Sequence, residues 1–210
     1  MTSIPGLIAP GELTLGTHPS APAGFRVIGL DLSITSTGVC RCDGSTFRIK
    51  TRLKDGPRRQ NIIRDRLAAE VAEQQPQLAV IEDLPMNASR MSLTNLKNMA
   101  GLHGVVLSVL VDAGVPWAYV NVKTLKSFAC DNGAAGKADM AAAALLADGA
   151  EFVDDKGGDQ VDAWWLRAAG HDWCGVPLFT MPQAQRDYLS KADWPDAYAQ
   201  RAALGMGAAA

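Results

Sequence analysis

Val27-Ile28-Gly29-Leu30-Asp31-Leu32 is the stretch that decides the architecture, because it ends an apolar run on a carboxylate. Phe25 to Leu32 is apolar and rich in β-formers, so it reads as a buried first strand. A buried carboxylate is costly unless it is paired or binds a metal. Functional groups gather at such strand ends. The plainer alternative is that Asp31 shapes the turn in Leu32-Ser33-Ile34-Thr35-Ser36-Thr37-Gly38, where Ser and Thr are plentiful.

Outward from this strand, Thr37 to Arg41 and Phe47 to Lys54 read as two more strands, joined by a turn at Asp43-Gly44. Three successive strands imply an antiparallel meander. Pro57 opens a helix to about Gln75, Leu78 to Glu82 is a short buried strand, and Pro85 breaks the pattern. A long helix is predicted from about Met91 to Ala113, closed by Gly114. Trp117 to Val120 makes a fifth strand. Val122 to Cys130 and Lys137 to about Ala147 read as helices around a turn at Asp131-Asn132-Gly133. Gly157-Gly158 and Asp159 start a last helix, ending near Ala169. The expected fold is α/β, a mixed five-stranded sheet flanked by helices over residues 25–170. Residues 1–24, with Pro5, Pro10, Pro19 and Pro22, read as a flexible arm. Residues 171–210 read as an irregular extension with a short helix and a disordered end from Gly205.

With 210 residues the chain has room for one substantial domain. Its net charge of −2 argues against an indiscriminate nucleic-acid binder. Basic charge is clustered, however. Arg48, Lys50, Arg52, Lys54, Arg58, Arg59, Arg64 and Arg66 are eight of the 20 Lys and Arg residues, which can attract phosphates locally. Arg48, Lys50, Arg52 and Lys54 recur every second residue and would share one face of a strand. With Arg58, Arg59 and Lys123 they are the candidate DNA contacts. Cys40, Cys42, Cys130 and Cys174 lack zinc-type spacing and read as reduced thiols of a cytoplasmic protein. No secretory signal pattern and no membrane-spanning apolar run is expected.

The acidic residues carry the chemistry. Glu82 ends Leu78-Ala79-Val80-Ile81, and strand alternation puts its neighbour Asp83 on the opposite face, so only one of them can join Asp31. Asp159 and Asp162 stand three apart in Gly157-Gly158-Asp159-Gln160-Val161-Asp162, on one face of a helix. Asp159 is also serviceable as a helix N-cap. Four converging carboxylates would form an oxygen-ligand site for Mg²⁺ or Mn²⁺. Two such ions about 3.5–4 Å apart cut phosphodiesters, which makes a metal-dependent nuclease the leading expectation. Lys126 and Lys137 flank the Asp131-Asn132-Gly133 turn, where their ammonium groups could stabilise charge developing on a phosphate. Lys123 is the alternative to Lys126, and solvated surface is the usual fate of lysine.

This arrangement resembles the RuvC-type Holliday junction resolvases (crossover junction endodeoxyribonucleases) of the RNase H-like nuclease superfamily. The resemblance rests on Ile28-Gly29-Leu30-Asp31 with its Ser/Thr-rich turn and Thr37-Gly38, on Val80-Ile81-Glu82, and on Val122-Lys123-Thr124-Leu125-Lys126. It continues through Gly136-Lys137 and Asp159-Gln160-Val161-Asp162-Ala163. It implies an RNase H-like fold in which Asp31, Glu82, Asp159 and Asp162 bind two divalent ions, Mg²⁺ or Mn²⁺. Lys126 and Lys137, 11 apart, match the family's lysine pair. Branched DNA, above all the four-way junction, is the implied partner. The implied enzyme is a homodimer that nicks strands of like polarity, leaving a 5′-phosphate and a 3′-hydroxyl. The helix from Met91 to Ala113, with its stripe of Leu93, Leu96, Met99, Leu102, Val105, Val106, Val109 and Leu110, would carry the dimer contact, with His103 near the axis. The chain departs from the family at Leu84-Pro85-Met86, where an aromatic often probes the junction centre, so no cleavage-sequence preference is carried over.

Other readings remain open. Asp followed by Ser, Thr and Gly after a strand also resembles the phosphate-binding turn of actin-like sugar kinases and ATPases, though those need a second lobe. A catalytically silent DNA-binding scaffold of the same fold is another, set against the presence of all four carboxylates. A broader branched-DNA, flap or RNA-processing nuclease is the third.

Overall fold

The structure, a computed structural model, describes residues 24–84 and 92–195. The expected arm before Gly24, the Pro85-Met86 departure and the expected disordered end lie outside the described residues. Five strands form one sheet: β1 (Val27–Asp31), β2 (Ser36–Cys40), β3 (Thr46–Lys50), β4 (Leu78–Glu82) and β5 (Trp117–Val120). Their order is β3-β2-β1-β4-β5. The meander β1-β2-β3 is antiparallel, while β4 joins β1, and β5 joins β4, in parallel. Parallel neighbours need crossovers, and helices α1 (Arg58–Gln74) and α2 (Leu93–Asp112) supply them. After β5 come α3 (Val122–Cys130), α4 (Lys137–Asp148), α5 (Asp159–Trp173) and the short α6 (Gln183–Arg186).

The sheet divides two cores by the period-two alternation of its strands. Ile28 and Leu30 of β1, with Ala79 and Ile81 of β4, face α1 and α2 through Ile63, Leu67, Leu102 and Val106. Val27, Leu78 and Val80 face the other way, onto α5 and the residues around Trp164 and Trp165. Asp31 and Glu82 continue the α5-facing series, and Asp83 falls on the α2 side, where its charge bears on His103 and Tyr119. Glu70 of α1 is buried and neutralised by Arg41, at 2.7 and 3.1 Å, and by Arg66 at 2.7 Å, which ties α1 to the end of β2.

Three sequence expectations need correction. Strand β3 stops at Lys50, not Lys54, because its partner β2 begins at Ser36, opposite Lys50, and offers no further ladder. The chain then turns back on Thr35 and enters a 3₁₀ turn at Leu53–Asp55. Arg52 and Lys54 therefore leave the strand, and only Arg48 and Lys50 share its face. Cys40, Cys42, Cys130 and Cys174 are free thiols. The helix expected to end near Ala169 runs to Trp173. In sequence Gly170 has the look of a stop, but a Cβ there would lie 2.7–2.8 Å from Val80 and Val27. The glycine lets α5 lie close on the sheet. Beyond it the chain wraps back onto the same core. Trp173 stacks on Trp194 with centroids 4.9 Å apart, and Asp193 bridges to Tyr119 on the β5 edge. Among the described residues no helix is long and apolar enough to cross a membrane.

Candidate metal centre

Asp31 and Glu82 each close a strand at the same end of the sheet. Leu30 is in register with Ile81 on the parallel neighbour, so the two carboxylates emerge side by side. The first turn of α5 crosses above them and adds Asp162. One ligand oxygen from each of Asp31, Glu82 and Asp162 lies within 4.8 Å of the others. No hydrogen bond or ion pair joins the side chain of any of the three to a described residue. At an effective dielectric of about 20, each fully ionised pair at this separation repels by roughly 3 kcal/mol.

The protonation equilibria follow from that crowding. Burial first, then Glu82, Asp162, Asp159 and Asp155, hold the Asp31 carboxyl well above the usual range. Burial and the Asp162 charge push Glu82 up to about 8, against the pull of Lys126. Burial raises Asp162 to about 6, again with Lys126, and more weakly Lys137, opposing it. Three carboxylates that resist ionisation and have no bonded cation among the described residues make a site short of positive charge. Their donor set, oxygen only and anionic, fits a hard divalent ion such as Mg²⁺ or Mn²⁺.

Asp159 does not join the trio. It turns towards the meander, accepting a hydrogen bond from Ser36 Oγ at 2.5 Å and lying 3.9 Å from Arg48 Nη1. Residue 38 makes this approach feasible, since a Cβ on Gly38 would sit 1.9 Å from the Asp159 carbonyl oxygen. Asp159 still adds to the field on Asp31, Glu82 and Asp162. Nor is Asp159 the helix cap. Gly158, at φ +77°, holds that position, and the Asp155 carboxylate accepts from the Gln160 and Val161 N–H groups at 3.0–3.1 Å. Sequence reasoning misses Asp155. An acidic residue just ahead of a Gly-Gly helix start is the signal that could find it.

The basic candidates separate into distinct groups. Lys126, partly buried on α3, and Lys137, at the start of α4 with its stem along Gly158, are the lysines whose charge reaches the trio. Lys123 is exposed and lies over Gly133 instead. Arg48 is a correction to the expected DNA face. It is spent inside the site wall, on Asp159 and on the Asp154 carbonyl at 2.5 Å. Arg59 is half-buried and donates to Thr51. Lys50, Arg52, Lys54 and Arg58 are exposed, with no side-chain partner among the described residues. His103, expected near a two-fold axis, is buried and stacked on Tyr119 of its own chain at 5.9 Å.

A mixed five-stranded sheet in this order, with α5 packed across it, is the RNase H-like fold, and it superposes on RuvC Holliday junction resolvases. One neighbour is the Thermus thermophilus RuvC structure, 20% identical, with a TM-score of 0.57 over 72% of this chain and 98% of that one. The T. thermophilus RuvC in complex with Holliday junction substrate aligns at 20% identity, with a TM-score of 0.59 over 72% of this chain and 97% of that one. The yeast mitochondrial Holliday junction resolvase Ydc2 superposes more loosely, at 15% identity and a TM-score of 0.45 over 82% of this chain and 86% of that one. No protein-family model matches the sequence, and no curated protein matches it.

Proposed function

We propose that this protein is a metal-dependent, structure-specific DNA endonuclease that resolves four-way junctions. The observation that carries the reading is the trio of Asp31, Glu82 and Asp162, held within 4.8 Å with no bonded cation among the described residues, on a RuvC-like fold. These three would hold one ion, and Asp159 would complete a two-ion site on leaving Ser36 and Arg48. Bound there, Mg²⁺ or Mn²⁺ supplies Lewis acidity towards a phosphate oxygen and lowers the pKa of a bound water.

The chain's own residues do the rest. Lys126, whose charge already acts on Glu82 and Asp162, sits where negative charge on a transferring phosphate builds up. Lys137 borders the same side from α4. Ser36 and Arg48 hold Asp159, and Asp155 anchors the α5 turn that carries Asp159 and Asp162. The exposed Lys50, Arg52, Lys54 and Arg58 steer the anionic backbone towards the site despite the acidic net charge. Paired nicks of like polarity require two sites related by a two-fold axis, so the active species is a homodimer, with the exposed residues of α2 such as Leu93 at its contact.

Incubation with Mg²⁺ or Mn²⁺ and end-labelled four-way, flap, fork and linear DNA tests this. Symmetric nicks confined to the four-way substrate, with 5′-phosphate ends, are expected. Cutting of flaps or forks in preference would replace the resolvase reading by a broader branched-DNA nuclease. No cutting of any substrate with either metal would refute it.

A further inference from the structure

On the opposite layer from the carboxylates, at the same end of the sheet, lies a cavity of about 340 Å³. Ile34, Leu53, Pro57, Arg59, Gln60 and Asn98 line it. Ile34 belongs to the turn that leaves Asp31, so the cavity and the candidate metal centre share one loop. The Arg59 guanidinium is fixed on one edge: its Nε donates to Thr51 Oγ1 at 2.9 Å, and the Thr51 hydroxyl donates to the Ile34 carbonyl. Its Nη2 is buried and has no hydrogen-bond partner among the described residues. An unmet charged donor of this kind is expensive, and an ordered water or a ligand has to complete it. The Gln60 amide donates to the Asn98 carbonyl, and Arg59 is the charged residue among those that line the cavity. The N-terminus of the 17-residue α1 opens beside it with no side-chain cap and no acidic residue in its first turn. Its positive end favours an anion there. Arg52, Lys54 and Arg58 are exposed nearby in sequence and carry no acidic partner among the described residues.

We infer that this cavity is a phosphate-binding site, in which the Arg59 fork receives a non-scissile phosphodiester of the DNA strand whose neighbouring phosphate lies at the carboxylates. The inference rests on the nuclease reading for the identity of the strand, and on the incompletely bonded guanidinium for the phosphate chemistry. Arg59 is then a positioning residue. It fixes the strand's register over the turn that joins the cavity to Asp31, and it takes no part in bond breaking.

The test is a cycle between Arg59 and single phosphates. Labelled four-way junctions, each carrying one neutral methylphosphonate near the crossover, are titrated by fluorescence anisotropy with Ca²⁺ in place of Mg²⁺. Arg59→Lys, which keeps the charge and loses the fork, and Arg59→Gln are compared with the wild type after their melting temperatures establish folding. One methylphosphonate position should weaken wild-type binding about tenfold, as loss of a charge-assisted hydrogen bond does. The same position should weaken either variant less than about twofold, since the fork that reads that phosphate is already gone. Losses that multiply at every position would overturn the site while leaving DNA binding intact. If the wild type binds no DNA, the nuclease reading fails, and inorganic phosphate then decides the cavity. A phosphate-dependent rise in wild-type melting temperature that Arg59→Lys lacks would support an anion site, and no rise would overturn it.

Discussion

Removing one negative charge from the carboxylate trio should strengthen the metal-free protein while removing its response to metal. Take Glu82→Gln. In the folded chain, burial and Asp162 push the Glu82 carboxyl to about 8, against 4.5 ordinarily. Between those values the folded state keeps a proton that the unfolded chain has released. A folded-state pKa raised in this way makes stability fall as pH rises, from about 4.5 to about 8. At pH 8 the shift corresponds to roughly 4 kcal/mol. Coulomb repulsion from a single charge at 4.8 Å gives roughly 3 kcal/mol at an effective dielectric of about 20. The lower figure sets the expectation, because the amide also loses hydration. For a chain of this size it corresponds to a rise in melting temperature of about 6–12 °C. At pH 5, barely above the ordinary value of 4.5, the unfolded chain has gained little from ionisation, and the gain should shrink below about 1 kcal/mol. Scanning calorimetry in EDTA at pH 5 and pH 8, then with MgCl₂ or MnCl₂, measures all of this. Metal should stabilise the wild type strongly at pH 8 and the variant far less. Equal melting temperatures in EDTA at pH 8, or an undiminished metal response in the variant, would refute the view of these residues as a strained cation site.

Asp31→Asn and Asp162→Asn should each lower cleavage more than about 10²-fold, the scale for removing one preorganised electrostatic interaction, while junction binding in EDTA persists or tightens; near-normal cleavage by Asp31→Asn would remove that residue from the site. Gly38→Ala drives a methyl into the Asp159 backbone and should destabilise the protein by roughly 3 kcal/mol, with weaker metal binding by titration calorimetry. Changing Lys50, Arg52, Lys54 and Arg58 to Gln should flatten the log-affinity against log-salt slope by about 0.9 for each phosphate no longer neutralised, whereas Arg48→Gln should act through Asp159 and leave the slope unchanged. Sedimentation equilibrium at micromolar concentration should show a dimer; a monomer with and without junction DNA that still makes paired nicks would exclude the two-fold geometry.

Local pattern is enough to read Asp31 and Glu82. Each ends an apolar strand, and the period of two assigns Glu82, rather than Asp83, to the side of Asp31. Asp162 is legible from helical spacing beside a run that has to be buried. Asp159 is not, because the same spacing that pairs it with Asp162 says nothing of Ser36 and Arg48. These come from 123 and 111 residues away and draw it aside. Arg48 misleads for the converse reason. A basic residue on an alternating strand looks solvated until the N-terminus of α5 is laid across it.

The amino-acid order alone therefore sets the elements and the logic of their connection: a meander that three adjacent β-runs must form, then parallel strands that their intervening helices require. These follow from backbone geometry and hydrophobic period, both local. Which carboxylates meet, which cations they lack and which cations are already spent emerge only once the layers have packed. Those outcomes depend on how closely α5 approaches the sheet. That distance is set at Gly29, Gly38 and Gly170, where the absence of a side chain matters only against a surface that the fold itself creates.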